Sequence, residues 1–177
     1  QMILPFGFDY PYTDENLATQ MHYAEGDTTI DGTAITKAAT SLRMGTSAES
    51  PSSIWVYLDA PTGTTITLDI YSDSEGLPDA SVAAATGTHT ITKYRPGPIW
   101  MRLTTDGTTL DAGTVYHLVL SGDDTITVPN YELDGNTAAT FDGTTWTPAT
   151  YGFAYILSFI YVDVFLGLEQ NDDALLI

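Results

Sequence analysis

The chain has 177 residues, with 23 acidic side chains against five basic ones and a formal net charge of -18. So acidic a surface repels polyanions, and phosphate contacts need clustered Lys and Arg that it lacks, which argues against a nucleic-acid partner. Cysteine is absent, so disulfides and thiol chemistry are excluded, and a hydrophobic core, bound ions or subunit contacts must hold the fold.

The length fits one domain. The 29 threonines, 15 glycines and 11 tyrosines beside only two lysines, Lys37 and Lys93, favour strands and turns over helices. The acidity has two readings, solubility or life in high salt where counterions screen self-repulsion.

Residues 1–20 place Pro5, Gly7 and Pro11 among Ile3, Leu4, Phe6, Phe8, Tyr10 and Tyr12. That pattern suits an extended arm rather than a helix, lying along its own domain or along a neighbouring subunit. The start, Gln1 to Phe6, has neither the basic region nor the long apolar core of a secretory signal, and the Gln is expected to be a processed or excised end. Asp27 to Gly32 reads as a turn, Thr33 to Gly45 as the first long strand region, and Thr46 to Ser53 as a polar loop.

Ile54, Val56 and Leu58 alternate with Trp55 and Tyr57, and Ile99, Met101 and Leu103 alternate with Trp100 and Arg102. If both aliphatic sides face a core, Trp55, Tyr57 and Trp100 share an outer surface suited to a contact. In Thr65 to Tyr71 the residues Ile66, Leu68 and Ile70 fall on one face, as in a half-buried strand. Tyr116, Leu118 and Leu120 complete the expected core. Asp106-Gly107, Asp134-Gly135 and Asp142-Gly143 are hairpin-type turn signals. Ala154 to Leu166 is apolar on both alternating faces, so it reads as a central strand covered on both sides. It is too short for a membrane span.

Three segments carry a resemblance. The run Ile66 to Pro78 with Ile70-Tyr71-Ser72-Asp73-Ser74-Glu75-Gly76-Leu77-Pro78, the run Leu110 to Leu120 with Ala112-Gly113-Thr114, and Phe141-Asp142-Gly143-Thr144-Thr145-Trp146 together resemble a family of jelly-roll β-sandwich modules. Such modules occur in prokaryotic surface proteins and in structural proteins of tailed viruses. The resemblance spans roughly Ala34 to Val164 and rests on turn chemistry. It implies an all-β, antiparallel jelly-roll sandwich, expected over residues 21–166; the N-terminal arm, 1–20, and the C-terminal tail, 167–177, are not part of the family pattern. It also implies a non-catalytic module of the carbohydrate-binding type.

Motifs for chemistry are absent. The histidines, His22, His89 and His117, have no metal-ligand spacing, and there is no nucleophile elbow and no phosphate loop. Paired carboxylates such as Asp123 with Asp124, Asp69 with Asp73, or Glu132 with Asp134 are what glycoside hydrolysis would need, but in a chain with 23 acids close pairs arise by chance. No cofactor is implied. A structural calcium is the one ion considered, with Asp73 and Glu75 or Asp123 and Asp124 as hard oxygen ligands. For a glycan, Trp146, Tyr151 and Tyr94 form the loop platform that would stack on a pyranose. Phe6, Phe8, Trp55, Tyr57, Trp100 and Phe165 are the expected subunit contacts. The sequence thus points to a non-enzymatic structural component of a virion, such as a capsid decoration or tail-associated protein, or to a subunit of a surface assembly. The alternative is a carbohydrate-binding module of a secreted enzyme or adhesin, and either places it on a virion or at a cell surface.

Overall fold

The computed structural model describes residues 26–82, 88–92, 97–105, 107–131 and 136–159. The expected arms, the domain limits at 20 and 166, and the residues Phe6, Phe8, Tyr94 and Phe165 lie outside them. In chain order the strands are β1 (Asp27–Ile30), β2 (Lys37–Arg43), β3 (Pro51–Leu58), β4 (Thr65–Ser74), β5 (Leu77–Ser81), β6 (Thr88–Thr90) and β7 (Ile99–Thr104). They continue as β8 (Val115–Gly122), β9 (Ile126–Tyr131), β10 (Ala138–Phe141), β11 (Trp146–Ala149), β12 (Gly152–Phe153) and β13 (Tyr155–Phe159). No helix occurs among the described residues, so none is long and apolar enough to cross a membrane.

The fold is all-β and antiparallel, a two-layered sandwich. One layer is a seven-stranded sheet in the order β11-β10-β2-β8-β4-β5, with β6 also paired to β4. The other comprises β13-β3-β7 and β1-β9-β12. Asp59 and Thr127 exchange both backbone hydrogen bonds at 2.8 Å, and the Tyr57 N–H donates to the Ala154 carbonyl at 3.3 Å, which ties these two small sheets together.

The core lies between the layers because the alternation demands it. Ile54, Val56, Leu58, Ile66, Leu68, Ile70, Tyr116, Leu118 and Leu120 are all buried there, joined by Leu42, Met101, Leu103, Ile126, Val128 and Phe153. Thr40 of β2 crosses the core: its buried hydroxyl accepts from the Phe153 N–H at 2.9 Å and donates to the Phe153 carbonyl, so neither polar group is orphaned.

Local expectations needed correction in four places. Asp27 to Gly32 is not simply a turn: Asp27–Ile30 pairs with β9 and buries Ile30. The turn begins only at Asp31, whose carboxylate accepts N–H bonds from Thr33, Ala34 and Ile35. Those donors hold its pKa below the ordinary carboxylate value. The region from Thr33 to Gly45 forms a strand only over Lys37–Arg43. The polar loop ends before Pro51, where β3 begins. The apolar C-terminal stretch, expected as a central strand, is described only as far as Phe159, and there β13 lies at the edge of its three-stranded sheet, paired with β3, with Tyr155, Ile156 and Leu157 buried.

Candidate functional site

Alternation puts Lys37, Ala39 and Ser41 of β2 on the side of the large sheet that faces away from the core, with His117 and Val119 of β8 and Asp69 and Tyr71 of β4. The register lines them up: Ala139 opposes Ala39, Ala39 opposes Val119, and Val119 opposes Asp69. Small residues at the centre leave a shallow floor, and larger side chains fold down onto it. Ala39, Val119 and Ala139 are each 1% exposed, covered by Tyr71, Leu77 and Trp146. Leu77 reaches it because Glu75 and Gly76 both take positive φ, 55° and 85°, which closes β4 and β5 into a tight hairpin.

Trp146 is the centre of this face. The four-residue loop 142–145 joins β10 to β11 and sets Phe141 directly opposite Trp146, with ring centroids 4.9 Å apart. Asp142 fixes that loop by accepting from the Thr144 and Thr145 N–H groups at 2.8 Å and from the Thr144 hydroxyl, and these bonds lower its pKa, the Thr145 N–H most. Tyr71 meets the Trp146 ring edge-on, with centroids 6.3 Å apart. Lys37 is the cross-strand partner of Phe141, and its Nζ donates to the Tyr71 hydroxyl at 3.1 Å. The same ammonium lies 5.4 Å from the Tyr71 ring centre and 5.7 Å from that of Phe141. All four side chains are half-buried.

Beyond Tyr71 on the same face lies His117, which is fully buried and whose Nε2 sits 2.7 Å from Asp73 Oδ1. Its Nδ1 has no hydrogen-bond partner among the described residues.

Of the expected glycan platform, Trp146 has Phe141 and Tyr71 as its ring neighbours. Tyr151 is half-buried past the far end of β11, before β12, and takes no part in that ring cluster. Tyr71, Phe141 and Lys37 escaped the sequence reading. Tyr71 shows there as an outward residue of β4, but only the order β10-β2-β8-β4 brings it to Trp146. The two suggested ion loops sit at opposite ends of β4. Asp73 is bonded to His117 and to the Gly76 N–H, and Glu75 forms the tight turn. Asp123 accepts from the Thr65 N–H at 2.7 Å and Asp124 from the Thr125 N–H at 2.6 Å. Among the described residues no three acidic or histidine side chains converge as metal ligands would.

The small sheets carry a second aromatic face. Tyr57 and Trp100 are cross-strand partners with centroids 5.4 Å apart, packed against Tyr131 and Ala154, and Trp55 opposes Arg102 on the same side. The split into aliphatic and aromatic sides expected for β3 and β7 is the one observed. Burial raises the Tyr131 pKa, with Tyr57 and Asp27 adding to the effect.

No protein-family model matches the chain, and no curated protein matches it in sequence. Its fold is similar to two solved structures of the clostridial cysteine protease Cwp84. One, solved after propeptide cleavage, superposes with a TM-score of 0.56 at 12% identity over 76% of this chain. The other holds the cysteine protease and lectin-like domains of Cwp84, a surface layer associated protein of Clostridium difficile, and superposes with a TM-score of 0.53 at 11% identity over 75% of this chain. The chain spans only 37% and 35% of those two structures, and at these identities the likeness is one of fold.

Proposed function

We propose that this chain is a non-catalytic carbohydrate-binding module of a cell-surface or extracellular assembly, with the Trp146 face as its binding surface. The observation that carries the reading is the half-buried ring cluster of Trp146, Phe141 and Tyr71, in which Trp146 and Tyr71 pack on the floor of Ala39, Val119 and Ala139. Rings held this way lose little conformational freedom on binding, and their apolar faces match the C–H faces of a pyranose. The likeness to structures containing a lectin-like domain of a surface-layer associated protein supports the same reading. The protease part of those structures offers no parallel within this sequence, which has no cysteine and whose described residues form strands and turns.

A glycan array followed by titration calorimetry tests the proposal. Trp146→Ala should weaken binding by about tenfold or more, equivalent to about 1.4 kcal/mol, while Trp55→Ala on the opposite layer should not. Glycan signals that survive loss of Trp146 would remove the proposed surface, and no signal on a broad array would remove the carbohydrate reading.

The second aromatic face favours an additional role as an assembly subunit, because Tyr57 and Trp100 form a half-buried ring pair on the buried Tyr131, of the residue types enriched at protein contacts. A cell-surface setting draws support from the structural likeness. A capsid or tail setting would use the same patch, and native mass measured for the chain alone and with Trp100→Ala tests either.

A further inference from the structure

We infer that the Trp146 face selects an acidic sugar, one whose ring carries a carboxylate or a sulfate, and that Lys37 contacts the negative group. The inference rests on the carbohydrate-binding reading and adds the charge of the ligand. Lys37 is one of five cations in a chain with 23 carboxylates. Even so, its ammonium has no acidic partner among the described residues, where the one close contact between a basic and an acidic side chain is that of His117 with Asp73. The ammonium sits instead against Tyr71 and Phe141 and gives one hydrogen bond, to the Tyr71 hydroxyl.

An aromatic ring attracts an ammonium through its quadrupole but does not neutralise it. A protonated lysine has three donors, so two remain after the Tyr71 bond. Asp142 is engaged in its own turn and Asp73 with His117, while Asp69, on the same face, stands on β4, two strands across from Lys37 of β2. The Lys37 ammonium is therefore a cation held beside two rings by one hydrogen bond and not matched by a carboxylate of the described residues. A neutral sugar would stack on the rings and leave that charge unmatched, whereas an acidic group beside it would gain a charge-assisted hydrogen bond. The net charge of -18 limits the ligand without forbidding it. At physiological ionic strength the Debye length is about 8 Å, so distant carboxylates are screened while a contact pair is not. Sparse acidic groups on a glycan fit this balance better than a dense polyanion.

The test uses the full chain and matched oligosaccharides on galactan, xylan and glucan backbones, each neutral, uronate-bearing or sulfated. On at least one backbone an acidic form should bind about five- to tenfold tighter than its neutral parent. Lys37→Met, which keeps an apolar stem beside the rings, should bring that ratio to about one, and Lys37→Arg should preserve it. Thermal midpoints and near-ultraviolet circular dichroism show whether each variant has kept its fold. Equal affinity for neutral and acidic partners, or a preference that persists in a folded Lys37→Met, overturns the inference and leaves the Trp146 surface standing. Binding to none of the set overturns the carbohydrate reading and the inference with it. A preference for uronate over sulfate, or the reverse, names the group that Lys37 meets.

Discussion

Gly122 ends β8 where the chain leaves the large sheet for β9 in the opposite layer, and it has no room for a side chain. A Cβ there would lie 2.5 Å from Ile126 Cδ1, 3.1 Å from Ile126 Cγ1 and 3.2 Å from the Thr65 carbonyl oxygen. Ile126 is 0% exposed, so its end cannot swing away into solvent, and the carbonyl belongs to the backbone of β4. Gly122→Ala therefore overpacks the crossover, at about 2 kcal/mol. The reduced freedom of the unfolded chain offsets about 0.5 to 1 kcal/mol of that, for a net loss of about 1 to 1.5 kcal/mol. For a domain of this size the thermal midpoint should fall by roughly 2 to 6 °C.

The cause is tested by coupling. Ile126→Val removes the atom at 2.5 Å and alone costs about 1 kcal/mol. The double variant should then be less destabilised than the sum of the singles, by about 1 kcal/mol, in urea unfolding followed by tryptophan fluorescence. Additivity to within about 0.5 kcal/mol would refute the argument, because a clash between these two side chains cannot leave their effects independent. The result also bears on how the Gly122-Asp123-Asp124 turn is read. A packing requirement at Gly122 and a backbone bond from Thr65 to Asp123 account for the turn without an ion.

The pair on the binding face should respond asymmetrically. Asp73→Ala strands the fully buried His117 Nε2 without its partner and should cost about 1 to 3 kcal/mol. His117→Leu should cost less, because it removes both ring nitrogens together and leaves Asp73, whose side chain is 26% exposed, to be hydrated. The opposite order in urea unfolding would sink this. The acid limb of stability should depend on Asp31 and Asp142, whose folded pKa values lie below the unfolded value of 3.8. A depressed carboxylate adds stability above its unfolded pKa and loses it as pH falls through the folded one. Asp142→Asn should therefore be less stable than the parent at neutral pH, with the gap closing below pH 3.8. A gap that stays constant into acid would show that charge plays no part in the loop.

What could be read from the chain was its period-two pattern. Ile66, Leu68 and Ile70 announce a buried face in a stretch of ten residues, and the core follows from such patterns alone. The aromatic face of Trp55, Tyr57 and Trp100 was legible for the same reason. Register and sheet order were not. Asp27–Ile30 looks like a turn because it is short and polar, and it becomes a strand only when β9 supplies its partner. Likewise Lys37, Tyr71 and Trp146 lie in three distant parts of the chain and meet because β2, β4 and β11 share one sheet. No local signal encodes that meeting, although the turn around Asp142 gave Trp146 its place.

The outer side of the large sheet has two demands to meet at once. Its central residues, Ala39, Val119 and Ala139, are apolar and 1% exposed, so this side has a small core of its own that water must not reach. Tyr71, Leu77 and Trp146 supply the cover, and a ring that covers a floor necessarily presents its other side to solvent. The proposed binding surface and the cover are thus the same atoms. A smaller side chain at position 146 would uncover the floor as well as remove the proposed stacking ring, whereas Lys37 touches the cover through one hydrogen bond to the Tyr71 hydroxyl. On the proposed reading, affinity is therefore bound to the packing of the sheet and charge preference to a single ammonium, and Lys37→Met separates the two where Trp146→Ala cannot.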